Sequence, residues 1–168
     1  ECHATATKVG DAIEMRGLVD AFAANRRRAD DAAMPPAAHA CALGSVKGNI
    51  GHANCAAGIT GFIKTVLCLQ HRTLVPTAHF KRLNPKIAPI LARKDIGATA
   101  FAVNTELCEW RLAEGVKRRI AGVSSFGVGG TNCHLVLEEP PPRAAAGAVA
   151  ADASADARWP ILPFAAKT

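Results

Sequence analysis

The sequence predicts an α/β fold. Three observations carry that expectation. Apolar residues recur at helical spacing near the start of the chain, the stretch from Ala53 to Gln70 is apolar almost all round, and four short β-type runs bounded by turn residues lie elsewhere.

Ile13, Met15, Leu18, Val19 and Phe22 fall at helical spacing, with Asp11 and Glu14 in a first turn where the macrodipole favours acids, so a helix is expected over 11–24. Arg26 to Pro36 is charged, then alanine-rich, and closed by two prolines, which reads as a surface excursion. An apolar strand is expected over 41–46. Gly48-Asn49-Ile50-Gly51-His52 then turns tightly into a helix whose Ile59, Phe62, Ile63, Val66, Leu67 and Leu69 predict burial at the centre of a domain. Its small residues Ala56, Ala57, Gly58 and Gly61 let neighbouring backbone approach the first two turns. Residues 73–96, with Pro76, Pro85 and Pro89, read as loop carrying short pieces of structure. Strands are expected over 101–106, 120–125 and 134–138, the last two joined by Phe126-Gly-Val-Gly-Gly-Thr-Asn132. From Pro140 to Arg158 the composition shifts to Pro, Ala, Asp and Gly, a linker by character, and Trp159 to Phe164 is apolar again, the expected start of a further unit.

Lys and Arg outnumber Asp and Glu by 20 to 14, a formal charge of +6. The basic clusters Arg26-Arg27-Arg28 and Lys117-Arg118-Arg119 are not interleaved with stacking aromatics and tyrosine is absent, so solvated loops are expected rather than nucleic-acid binding. Six cysteines are spread without C-x-x-C spacing, mostly in apolar runs, which predicts free thiols in a reducing cytoplasm. No signal peptide opens the sequence, and the most apolar stretch is broken by Lys64, so no membrane partner is expected. The first residue is Glu1, and His3 and two threonines follow at once, which reads as a chain cut upstream.

Two histidines lie at turns, His3 in Glu1-Cys-His-Ala-Thr-Ala-Thr7 and His52 at the mouth of the apolar helix. The positive end of that helix disfavours imidazolium, leaving a neutral ring to donate a hydrogen bond to a developing oxyanion. Lys47, just upstream, offers a fixed positive charge or a solvated surface group. The glycine loop after Ser125 lacks the third glycine of a dinucleotide fingerprint and enters a strand, so that reading is rejected. Its glycines still bring main-chain N–H groups close to a ligand, as an oxyanion hole or thioester cradle requires. Cys2-His3, His39-x-Cys41 and Cys133-His134 do not have zinc spacings, and no metal is expected.

Glu1-Cys-His-Ala-Thr-Ala-Thr7, Gly44-Ser-Val-Lys-Gly-Asn-Ile-Gly-His52 and Gly122-Val-Ser-Ser-Phe-Gly-Val-Gly-Gly-Thr-Asn132 together resemble, in this order, the blocks of β-ketoacyl synthases, above all those of modular type I polyketide synthases. Asn84-Pro-Lys-Ile87, Val103-Asn-Thr105 and Trp110 add to the match. The resemblance covers residues 1 to about 139. It implies a thiolase-like fold, of which 1–139 would be the C-terminal half of the duplicated layered α/β/α/β/α core, 140–158 a linker, and 159–168 the start of the segment leading to an acyltransferase domain.

The activity implied is acyl transfer, a decarboxylative Claisen condensation between a malonyl-type thioester on an acyl carrier protein and an acyl chain held on a cysteine. His3 and His52 would hydrogen-bond the thioester oxygen and stabilise the enolate, with Lys47 supporting the His52 network. Thr5 and Thr7 match positions that contact the phosphopantetheine arm, which the carrier protein brings, and no cofactor of the segment's own is expected. Phe126, Gly127, Val128 and Gly129 match an oxyanion-hole and gating loop. The nucleophilic cysteine belongs to the expected N-terminal half; Cys2 and Cys55, near the histidines, read as packing residues. Further expected partners are a neighbouring acyltransferase domain and a second copy in a homodimer, and the segment alone is expected to be inactive and poorly soluble. One departure stands out: Ala4 and Ala6 occupy positions where the family has glycine, a cost of about 1 kcal/mol or more if φ is positive there. Alternatives are a fatty-acid or polyunsaturated-lipid synthase ketosynthase, or a non-elongating ketosynthase that only passes on an acyl chain or serves as a structural partner subunit.

Overall fold

A computed structural model describes residues 1–28, 41–93, 101–113 and 115–140, with the side chains of 25–28 left aside. The linker expected beyond Pro140 and the apolar segment 159–168 lie outside the described residues, as does the expected excursion from residue 29 on.

Helix α1 spans Gly10–Arg28, longer than its apolar stripe predicts. Arg26 to Arg28 thus form a last helical turn rather than the start of a loop, a position where cations complement the macrodipole. Met15, Val19 and Ala23, spaced by four, are its buried line, and they pack with Cys2, Leu43, Ile87 and Phe101. Ile13 and Phe22, also at the helical spacing, are exposed, although the Phe22 ring lies 4.7 Å from that of Phe101. The expected strand over 41–46 is shorter, β1 at Cys41–Leu43, and is followed by a four-residue helix α2, Lys47–Ile50, in place of a bare turn.

A 3-10 turn, Asn54–Ala56, leads into α3, Ala57–His71. Among the described residues only one stripe of α3 is buried, Ala57, Gly61, Thr65 and Leu69, while Ile59, Ile63, Val66 and Leu67 are exposed. This corrects the expectation of burial all round. The small residues act as expected: an added Cβ at Gly58 would lie 2.9 Å from Ser125 Oγ, and one at Gly61 would lie 3.0 Å from the Glu1 side chain. Beyond α3 come β2 (Thr73–Leu74), α4 (Ala88–Leu91), β3 (Phe101–Val103), β4 (Cys108–Glu109), β5 (Ile120–Phe126) and β6 (Asn132–Glu138).

β1 pairs with β3 in parallel, β2 with β4 antiparallel, and β5 with β6 antiparallel, Ile120 opposite Glu138 and Phe126 opposite Asn132. The glycine loop joins strand to strand, as its sequence predicts. The segment Glu1–His3 bridges two of these sheets. The Glu1 amino group donates to Gly122 O, Ser124 N–H donates to Glu1 O, and Cys2 N–H donates to Gly44 O at the end of β1. The Glu1 carboxylate accepts Val46 N–H at 2.6 Å and pairs with Lys64 of α3 at 2.7 Å, with its side chain 4% exposed. Buried pairing of this kind fixes register.

At the far end Arg119, 8% exposed, donates to the Trp110 carbonyl and pairs with Glu139, which also meets Arg72 at the C-cap of α3. Arg119 is therefore an anchor and not part of a solvated loop. The paired guanidinium holds the Glu139 carboxyl below its usual range.

Candidate active site

The bridging segment carries His3 to the open end of β5, and the α2 turn carries His52 opposite it. Their ring centroids are 5.6 Å apart with the planes at 86°. Phe126, the last residue of β5, packs its ring 5.3 Å from that of His3. His3 is half-buried and His52 is exposed in the described chain.

Each imidazole is oriented by a backbone amide. Phe126 N–H donates to His3 Nδ1 at 3.3 Å, and Asn54 N–H donates to His52 Nδ1 at 3.0 Å. A nitrogen that accepts from an amide carries no proton, so both neutral rings bear theirs on Nε2. Burial, then the charges of Lys47 and His52, lower the pKa of His3, which keeps that ring neutral. For His52 the expected orienting device differs from the observed one: α3 begins only at Ala57, and the ring is set by the 3-10 turn that precedes it. Two Nε2–H donors thus share one end of the molecule.

The residue that sequence reasoning missed is Glu14. Its carboxylate, on the buried side of α1, accepts the amides of His3 at 2.7 Å and Ala4 at 2.9 Å. Burial raises its pKa against the lowering effect of those two bonds. A signal existed: Glu14 stands four residues before Leu18, one position from Met15, so it lies on the helix's inner side where a lone acid requires a partner. Asp11, one turn earlier, lies close to the backbone of Ala6 and Thr7 with its Oδ1 buried and without a hydrogen-bond partner among the described residues, and burial raises its pKa.

The turn that Glu14 holds is strained. Ala4 has φ +37° and Ala6 φ +60°, the region where a Cβ is disfavoured. The glycine departures in the first motif therefore carry a conformational cost. In the intact ketosynthase, Ala4→Gly and Ala6→Gly are each expected to add about 0.5 kcal/mol, the relieved strain less the greater freedom of unfolded glycine. Urea midpoints check it: each should rise at constant m, and a fall would remove the strain.

Lys47 starts α2 and lines the same cleft as His52, and its charge acts on His3 and Glu14. Gly48 beside it is obligatory, because a Cβ there would lie 2.6 Å from Ala78 O. Thr5 lines the cleft, of about 660 Å³. Thr7 Oγ accepts Gly10 N–H at the start of α1, so its hydroxyl hydrogen is what it can offer a ligand.

In the glycine loop two of the four amides expected as donors are used within the protein. Phe126 N–H goes to His3 and Gly127 N–H to Thr131 O, at 2.7 Å. Val128 stands fully exposed at the tip, and Gly129 and Gly130 have φ +108° and +99°, which only glycine adopts freely. Cys2 is a packing residue, as expected, and burial pushes its thiol up to about 12. Cys55 is exposed, and its reading as a packing residue is corrected: it falls on the outer side of the 3-10 turn. All six cysteines are free. Among the described residues no group of three or more His, Cys, Asp or Glu side chains could hold a metal ion, and no helix is long and apolar enough to cross a membrane.

Residues 1–81 match the β-ketoacyl synthase C-terminal domain, and residues 84–168 the ketoacyl-synthetase C-terminal extension. Among curated proteins, a phenolphthiocerol/phthiocerol polyketide synthase of Mycobacterium tuberculosis is 44% identical over 86% of this chain and 8% of its own length. Polyketide synthase ThaG of Burkholderia thailandensis is 46% identical over 100% of this chain and 3% of its own. Among solved structures, the module 6 ketosynthase of the bacillaene synthase from Bacillus subtilis superposes with TM-score 0.67 at 43% identity, covering 84% of this chain and 22% of that one. The oxazolomycin ketosynthase domain of Streptomyces albus gives 0.67 at 37% identity, over 86% and 23%. The chain thus spans under a tenth of these curated relatives and about a quarter of the ketosynthase structures. Its mixed α/β elements are part of a thiolase-like fold, and the chain belongs to the β-ketoacyl synthases, as a C-terminal segment of a polyketide synthase ketosynthase.

Proposed function

We propose that this segment supplies the decarboxylation half of a decarboxylative Claisen condensation, in which a malonyl-type thioester on an acyl carrier protein extends an acyl chain held on a cysteine outside the segment. The observation that carries the reading is the shared tautomer of His3 and His52, two Nε2–H donors made available by amides on Nδ1. As the carboxylate leaves as carbon dioxide, the electron pair of the broken C–C bond moves into the thioester, and the two donors stabilise the enolate oxygen. The enolate carbon then attacks the acyl-cysteine carbonyl, and the cysteine thiolate departs as the new C–C bond completes. Lys47 holds His3 neutral, Thr5 and the Thr7 hydroxyl take the phosphopantetheine arm, and the Val128 and Gly129 amides serve the acyl oxyanion. The exposed Ile59, Ile63 and Leu67 face of α3 is where the N-terminal half of the same domain would pack.

The test uses the intact ketosynthase. His52→Ala is expected to reduce carbon dioxide release from malonyl-carrier protein by about 100-fold or more, the usual cost of one oxyanion donor. Release at the wild-type rate would sink the assignment. Acyl transfer without C–C bond formation in the wild type would favour the non-elongating alternative, which the positive φ at Ala4 and Ala6 supports.

A further inference from the structure

The cleft that holds Thr5, Lys47 and His52 has an outer wall built from the chain that follows α3. Thr77 N–H is tied to Asn104 O, Phe80 N–H closes a turn onto Thr77 O, and Ala78 O lies against Gly48, so this wall is pinned to the end of β3 and to α2. Directly after the turn, Lys81 and Arg82 line the cleft, and both are exposed.

Their charge is uncompensated. Among the described residues Lys81 and Arg82 are in no ion pair, a property they share with Lys47 of the same cleft and with Lys8, Lys86 and Lys117, whereas Arg16, Lys64, Arg72, Arg93, Arg111, Arg118 and Arg119 are all paired. Neither carboxylate that lines the cleft is ion-paired with them: Glu14 accepts the amides of His3 and Ala4, and Asp11 Oδ1 is buried without a hydrogen-bond partner among the described residues. The cleft is therefore mostly apolar within, with polar points that include Thr5, Lys47 and His52, and doubly cationic at its rim, in a volume typical of small-molecule sites.

We propose that Lys81 and Arg82 form a phosphate-binding rim that takes the phosphodiester of the phosphopantetheine arm whose thioester end reaches His3 and His52. This rests on the ketosynthase reading above. The planar Arg82 fork and the Lys81 ammonium match a phosphate in the way point charges on a neutral arm would not.

The experiment compares malonyl-phosphopantetheine with malonyl-pantetheine, which differ only in the phosphate, as substrates of the intact ketosynthase. The wild type is expected to favour the phosphorylated thioester in kcat/KM by about tenfold or more, and Lys81→Ala/Arg82→Ala to bring that ratio close to one. A ratio that survives the double substitution, or that is one in the wild type, overturns the proposal. Variants that lose activity with malonyl-carrier protein while the ratio persists would place the two cations against the carrier's own acidic surface, and overturn it equally. Calorimetry with phosphopantetheine itself reads the rim without turnover. Phosphate-dependent binding lost in the double variant supports it, even where no carbon dioxide is released and the ketosynthase reading fails.

Discussion

Exchanging His3 for alanine in the intact ketosynthase is expected to lower carbon dioxide release by two to three orders of magnitude while leaving acyl loading within a few-fold. The split follows from the proposed role, in which His3 meets the enolate but not the acyl carbonyl. The substitution also leaves the Phe126 amide, the foot of the glycine loop, without its acceptor, so loading reports any loop disturbance separately. Protonation offers a second handle. A proton arriving on His3 would go to Nδ1 and oppose the Phe126 N–H that now donates to it. Because burial and the Lys47 and His52 charges depress this pKa below the ordinary 6.5, the neutral ring persists beneath that pH. Its contribution to stability is thus complete above 6.5 and is lost as the pH falls through the depressed value. The acid limb of decarboxylation should accordingly lie below 6.5, and Lys47→Met should move it upward. A limb that does not respond to Lys47 would remove the lysine from the site.

The division between what the sequence discloses and what it withholds follows interaction range. His3, His52 and the glycine loop stand in contiguous blocks, so the family resemblance they carry is legible from neighbours alone. The close approach at Gly58 and Gly61 is likewise written in residue size. Helix ends are less so: α1 runs on through Arg26 to Arg28 because cations suit a C-terminal turn, although the apolar stripe stops at Ala23. Long-range partners are invisible at this level. Nothing near Arg119 announces Glu139, twenty positions on in an adjacent strand's tail, and nothing near His3 announces the Phe126 amide. The exposed face of α3 shows the converse: composition predicts burial, but burial needs a second surface, and the described residues cover only the stripe of Ala57, Gly61, Thr65 and Leu69.

Glu14 is the residue whose loss should cost the fold most near the site. Its two oxygens accept two amides of one turn, and Ala4 within that turn is held at φ +37°. Strained backbone persists only where its surroundings fix it. In Glu14→Gln one carboxamide oxygen remains to accept, but the NH₂ group faces the other amide donor to donor. A destabilisation of about 2–4 kcal/mol is expected, from one unsatisfied buried N–H and the loss of charge assistance. Thermal unfolding of the intact ketosynthase would show it as a lowered Tm, and decarboxylation per folded molecule should fall as well, because the same amides place His3. An unchanged Tm and rate would make the clamp incidental. The strain supplies a sharper criterion. If Glu14 serves to hold Ala4 at positive φ, Ala4→Gly should recover more stability in the Glu14→Gln background than in the wild type, a coupling that two independent sites would not show.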